Sequence, residues 1–198
     1  DQLETRYADI KNRFLEFHHE SSATDGELNP GQFNFRVNTD AGNKLIGLAW
    51  DFVDWTDRLR KVLGSDASLN NSSQQYKDNL KALGNASEMR YLMKHFDRNI
   101  STYVENSCPM MGAIIAFFPT ATRPIGRALV GGPAKTPYHK ETSMRGINMP
   151  PRVMADISSI TLSLSTETVD LSESFRIITE FKAGLSPFLR EQYGFEWD

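Results

Sequence analysis

The stretch Asp40–Leu63, DAGNKLIGLAWDFVDWTDRLRKVL, decides the fold class. Leu45, Leu48, Phe52, Trp55, Leu59 and Val62 recur every three or four residues, the period of a helix that buries one face. Gly64 stands just beyond the last of them, where a helix stops. Toward the amino end, Leu3, Tyr7, Ile10, Phe14 and Phe17 trace the stripe of another helix. Ser21 to Asn43 is polar, holds Gly26, Pro30, Gly31 and Gly42, and reads as a loop. Toward the carboxyl end, Ser65 to Ser73 is a small-residue linker. Tyr76, Leu80 and Leu83 mark a short helix ending near Gly84. Ser87, Glu88 and Met89 open another helix, with Met89, Leu92, Phe96, Ile100 and Tyr103 as its buried stripe and Pro109 as its stop.

The second half is more mixed. Ala113–Phe118 is short, apolar and ended by Pro119, as a buried strand would be. Ile160, Leu162 and Leu164 alternate with Ser159, Thr161 and Ser163, a half-buried strand. Between them, residues 119–152 hold six of the nine prolines and four glycines. Their six cations, Arg123, Arg127, Lys135, Lys140, Arg145 and Arg152, face one acid, Glu141, so this long loop is basic in an acidic chain. Asp170 with Glu173 resembles a capping box for a last helix striped by Leu171, Phe175, Ile178 and Leu185, with a break near Gly184 and Pro187. The aromatic tail Phe188–Trp197 is expected to dock on the body. The fold expected is mainly α: one domain over 1–198, a bundle of four to five helices with a small β element at about 113–118 and 157–164.

Composition bounds the function. A chain of 198 residues, 39% hydrophobic and 11% aromatic, can fill a core. A net charge of −3 implies no nucleic-acid or membrane partner by itself, so such a partner needs a local patch. Cys108 is the only cysteine, which excludes an intrachain disulfide and cysteine-rich zinc sites and favours a reducing, cytoplasmic setting. Sequons at Asn70, Asn71, Asn85 and Asn99 point weakly the other way, and a start at Asp1 is compatible with a removed leader. The longest apolar run, Met110–Phe118, is about half of the roughly 20 residues a membrane span needs.

Few constellations carry chemistry. His18 and His19 are adjacent, about 100° apart on a helix, so they cannot share one ion as an i, i+4 pair does; they read as solvent-facing, and no metal or cofactor is expected. Gly131-Gly132-Pro133 lacks the helix signal a phosphate loop requires, and Cys108 beside Pro109 reads as a packed thiol. Asp51, Asp54 and Asp57, spaced by threes, read as a solvated polar strip.

Glu88-Met89-Arg90-Tyr91-Leu92-Met93-Lys94-His95-Phe96-Asp97 is the better lead. An Arg followed five positions later by His, then Phe-Asp, resembles the HEPN superfamily, whose signature is Arg-x4-6-His, and especially its bacterial members with Arg-x-x-x-x-His-Phe-Asp-Glu. The likeness extends weakly to Trp50–Arg60. Tyr91 stands where active members carry Asn, Asp or His. The resemblance implies a homodimer and metal-independent RNA cleavage, in which a ribose 2′-hydroxyl attacks the adjacent phosphorus. In that chemistry His95 is acid and base, and Arg90 clamps the charged phosphorane. Lys94 or the basic 119–152 loop would hold the flanking backbone. On an uninterrupted helix, however, five residues separate Arg90 and His95 by roughly 140°, so a shared site needs the long Arg to wrap around or a symmetry mate to contribute. The alternative pairs Arg90 with Asp97 or Glu88 on a wet face. Two other readings stay open. The tail Glu191–Trp197 faintly resembles the terminal segment of rod-shaped plant-virus coat proteins, implying an RNA-coating assembly protein, and the third reading is an interaction module without a nucleic-acid role.

Overall fold

A computed structural model describes residues 2–25, 33–37, 40–65, 74–105, 111–119, 125–130, 157–164 and 167–193. The elements are α1 (Gln2–Asp25), β1 (Phe33–Val37), α2 (Asp40–Ser65), α3 (Gln74–Ala82), α4 (Gly84–Lys94), α5 (Phe96–Glu105), β2 (Ala113–Phe118), β3 (Ile125–Val130), β4 (Ser159–Leu164), β5 (Glu167–Asp170) and α6 (Leu171–Tyr193). The described chain is mainly helical, as expected, and the two expected strands, β2 and β4, are antiparallel neighbours.

Their sheet is wider than the sequence suggests, with order β1-β3-β2-β4-β5. β1 runs parallel to β3 and the other pairs are antiparallel. All of β2 is buried, so it suits the middle of a sheet, where both edges are paired and both faces covered. Two expected loops are therefore partly structured. Ser21–Asn43 includes the end of α1 and all of β1, where Phe33, Phe35 and Val37 alternate with Asn34 and Arg36. The basic 119–152 segment contains β3, with Arg127 opposite Ala116 and Asn34. Arg123, Lys135, Lys140, Arg145, Arg152, Cys108 and the tail from Gly194 onward lie outside the described residues.

Helices cover one face of this sheet. Ile114, Ala116, Leu129, Ile160 and Leu162 join Ile10 and Phe14 of α1, Phe52 of α2, Met89 of α4 and Ile177 of α6 in one core. The opposite face is buried as well, with Ile115, Phe117, Ser159 and Thr161 nearly inaccessible, so β4 is more than half-buried. α2 buries Leu45, Ile46, Ala49, Phe52 and Val53, but Val62 is 66% exposed. The buried face thus drifts off the expected stripe and takes in Thr56 and Asp57.

Several local expectations are met or corrected by packing. Asp170 Oδ1 accepts the Glu173 backbone N–H at 2.9 Å, capping α6, whereas the Glu173 side chain turns to Arg176. α6 continues through Gly184 and Pro187 to Tyr193, with Leu185 packed against the core. His18 is not solvent-facing; its ring stacks on Phe118, centroids 4.2 Å apart. No helix among the described residues is long and apolar enough to cross a membrane.

Candidate functional site

The expected single helix over the Arg-His segment is two helices. α4 ends at Lys94, and His95 leaves helical geometry at φ −109° and ψ 28°. Its N–H still reaches the Tyr91 carbonyl at 3.1 Å, and its own carbonyl accepts the Arg98 N–H at 3.0 Å as α5 begins. α4 is regular up to Lys94, so the two positions keep roughly the 140° separation of a helix. Arg90 and His95 nevertheless both line one open cleft of about 410 Å³, together with Asp57, Lys61, Ser87, Glu88 and Lys94. No symmetry mate is required to bring them there. Tyr91, 56% exposed, shares the wall, and its ring centroid lies 4.4 Å from that of His95.

Beneath the cleft, α4 meets α2 through a charged network. Ser87 Oγ donates to Asp57 Oδ1 at 2.5 Å. Lys61 Nζ and Arg90 Nη1 donate to Asp57 Oδ2 at 2.7 and 2.8 Å. Arg90 Nε donates to Asp54, which also holds Arg58 at 2.6 Å. Arg60 Nη1 reaches Ser87 Oγ at 3.1 Å, and Arg60 Nε is buried with no acceptor among the described residues.

The network makes a buried carboxylate tolerable. The Asp57 side chain has no exposed surface, and a carboxylate stripped of water costs several kcal/mol unless donors replace it. Burial pushes the Asp57 pKa up, but Lys61, Ser87 and Arg90 outweigh it and hold the group below its usual value. Burial likewise opposes the charge on Arg90, and the bonds and charges of Asp54 and Asp57 reverse that, raising its pKa. Both groups are fixed in their charged forms.

This corrects two expectations. The Asp51-Asp54-Asp57 strip is not uniformly solvated: Asp51 is exposed and pairs with Arg6 at 2.8 Å, whereas Asp57 is sealed. Arg90 is paired with Asp54 and Asp57 across the helix interface, not with Asp97 or Glu88. A signal for this existed. Asp57 falls on the Ile46–Val53 stripe at offsets of seven and four, one face of α2.

Of the other candidate residues, Lys94 is exposed on the cleft wall, and Arg127 belongs to β3. The cleft lining sets three cations, Lys61, Arg90 and Lys94, against two carboxylates, Asp57 and Glu88. No group of three or more His, Cys, Asp or Glu residues is arranged to hold a metal among the described residues. What the cleft can do chemically follows from these groups: attract an anion, stack a planar ring on Tyr91, and present one imidazole for proton transfer. Comparison of the chain with models of protein families, with curated proteins and with solved structures finds no match.

Proposed function

We propose that this domain receives RNA in the cleft between α2 and α4 and cleaves it without a metal, His95 serving as acid and base. The observation that supports this reading is that His95 and Arg90 line the same cleft. The chemistry fits the groups. A 2′-hydroxyl attacking phosphorus must lose a proton and the leaving oxygen must gain one, and neutral and protonated imidazole can do both near neutral pH. Lys61, Lys94 and Arg90 outnumber Asp57 and Glu88 on the cleft lining by one charge, and Tyr91 offers a ring for an adjacent base. Arg90 is already tied to two carboxylates, so its role is to polarise the wall more than to clamp freely. The homodimer implied by the HEPN resemblance belongs to the same proposal. Apolar side chains exposed on α4 and α5 (Met93 and Ile100) support a second copy there.

Labelled single-stranded RNA incubated with the protein in EDTA tests the enzyme. Cleavage should survive chelation and fall by roughly 10²- to 10⁴-fold in His95→Ala, the usual worth of one acid–base group. RNA left intact by the wild type from about pH 5 to about pH 8 removes the catalytic part. Binding that weakens in Lys61→Ala and Lys94→Ala, with a shallower salt dependence, then decides whether RNA is a ligand at all.

A further inference from the structure

Between α1, α2 and α6 lies a second recess, of about 330 Å³, with no lining residue in common with the cleft. Leu3, Trp55, Leu59, Phe181 and Leu185 make its wall apolar. Gln2, Glu4 and Lys182 are the amide and charged side chains on that wall. Lys182 Nζ donates to both Glu4 carboxylate oxygens, at 3.0 and 3.1 Å, so the two charges offset each other. The large apolar side chains exposed at the surface, Val62, Tyr91, Met93 and Ile100, are not among the lining residues. The recess is therefore a slot that takes an inserted side chain, not a flat face for a second copy. Packed interiors leave few voids larger than a water molecule, and an apolar void of about 150 Å³ already admits a benzene ring. This one has room for an indole.

The chain itself carries one within reach. α6 lines the recess as far as Leu185 and runs on to Tyr193, eight positions later, a rise of about 12 Å. Beyond it the sequence reads Gly-Phe-Glu-Trp-Asp at 194–198, outside the described residues. A glycine just past a helix is where a chain most readily turns back. Four extended residues span about 13 Å, enough to bring Trp197 level with Leu185. Phe195 and Trp197 alternate with Glu196 and Asp198, so an extended segment sets both rings on one side and both acids on the other. A buried indole needs an acceptor for its N–H, and Gln2 and Glu4 offer acceptor oxygens at the wall.

We propose that 194–198 folds back along α6 and seats the Trp197 indole in the recess between α1, α2 and α6. The seated ring ties the start of α1 to the end of α6. Tethering favours this occupant over a free ligand, because a short linker sets an effective concentration on the order of millimolar. No residue of the cleft takes part, so the proposal stands or falls apart from the RNA reading.

Full-length protein carrying fluorotryptophan has three fluorine resonances, from Trp50, Trp55 and Trp197, and the one missing in Trp197→Phe belongs to Trp197. In the wild type a soluble paramagnetic agent should broaden that resonance several-fold less than it broadens the free amino acid. Leu185→Glu, which sets a charge in the slot, should make the ring as accessible as the free amino acid. Should Leu185→Glu fail to fold, Leu59→Glu replaces it. The neutral apolar dye N-phenylnaphthylamine should bind Trp197→Ser about tenfold more tightly than the wild type, as for a slot that the tail leaves open about one time in ten. A Trp197 ring as accessible as the free amino acid, a protected ring indifferent to the charged variant, or equal dye uptake by the two proteins overturns the proposal. Protection that fades on dilution overturns it too, because the ring would then sit on a second copy.

Discussion

Asp57 has no exposed side-chain surface, and Ser87, Lys61 and Arg90 supply the donors that replace its lost water. Those donors are unequal. Lys61 is 58% exposed and water can take its place, so Lys61→Ala should cost under about 1 kcal/mol. Arg90 is 20% exposed, and its loss leaves Asp57 short of a donor inside the protein; Arg90→Ala should cost about 3 kcal/mol in urea unfolding. The pH dependence has a definite sign. Because the Asp57 pKa is lowered from 3.8 in the fold, its contribution is present above the unfolded value and is lost as pH falls through the folded one. Glu4 and Glu173 are lowered too, so the contribution of Asp57 is read as a difference. Asp57→Asn should be less stable at neutral pH and lose less on going from about pH 5 to about pH 3 than the wild type. Parallel losses would mean that the Asp57 network does not carry the acid sensitivity.

At the scale of elements, two short departures from regular structure set the architecture. One is the end of α4 at His95, where the chain leaves helical geometry before α5, beside the cleft that Arg90 and His95 both line. The other is Gly112, just before β2, at φ +82°. A Cβ there would lie 2.5 Å from the Ser163 carbonyl oxygen of β4, so both the left-handed backbone and the close approach require glycine. Gly112→Ala should cost about 2 kcal/mol or more, read as a lowered thermal midpoint, because a rigid strand carbonyl cannot yield as a flexible side chain would. A midpoint within error of wild type would show that β2 can shift against β4. The expected helix stripes were legible where the apolar residues were large, as with Ile10 and Phe14 of α1 or Phe52 of α2. They failed at Val62, which the drift of a straight helix carries round to solvent. β1 and β3 were missed because short alternation inside Gly- and Pro-rich sequence weighs less than the turn signals around it.

For the whole molecule, helices packed on one face of a five-stranded sheet leave the α4–α5 side with its apolar residues outward. Ile100 is 44% exposed, and in the proposed homodimer it meets the second copy. Wild type should elute as a dimer and Ile100→Glu as a monomer, since burying an unpaired carboxylate at a contact costs several kcal/mol; a monomeric wild type ends that part of the proposal. The sequence alone established the mainly helical class, the strands β2 and β4 and the cap at Asp170, because each is written in contacts within a few residues or in a simple period. It did not reveal the pairing of β1 with β3, the burial of Asp57 or the partners of Arg90. The last two depend on which face of α2 meets α4 across 33 and 36 positions of chain, and a local pattern of charges looks the same whether it faces water or another helix.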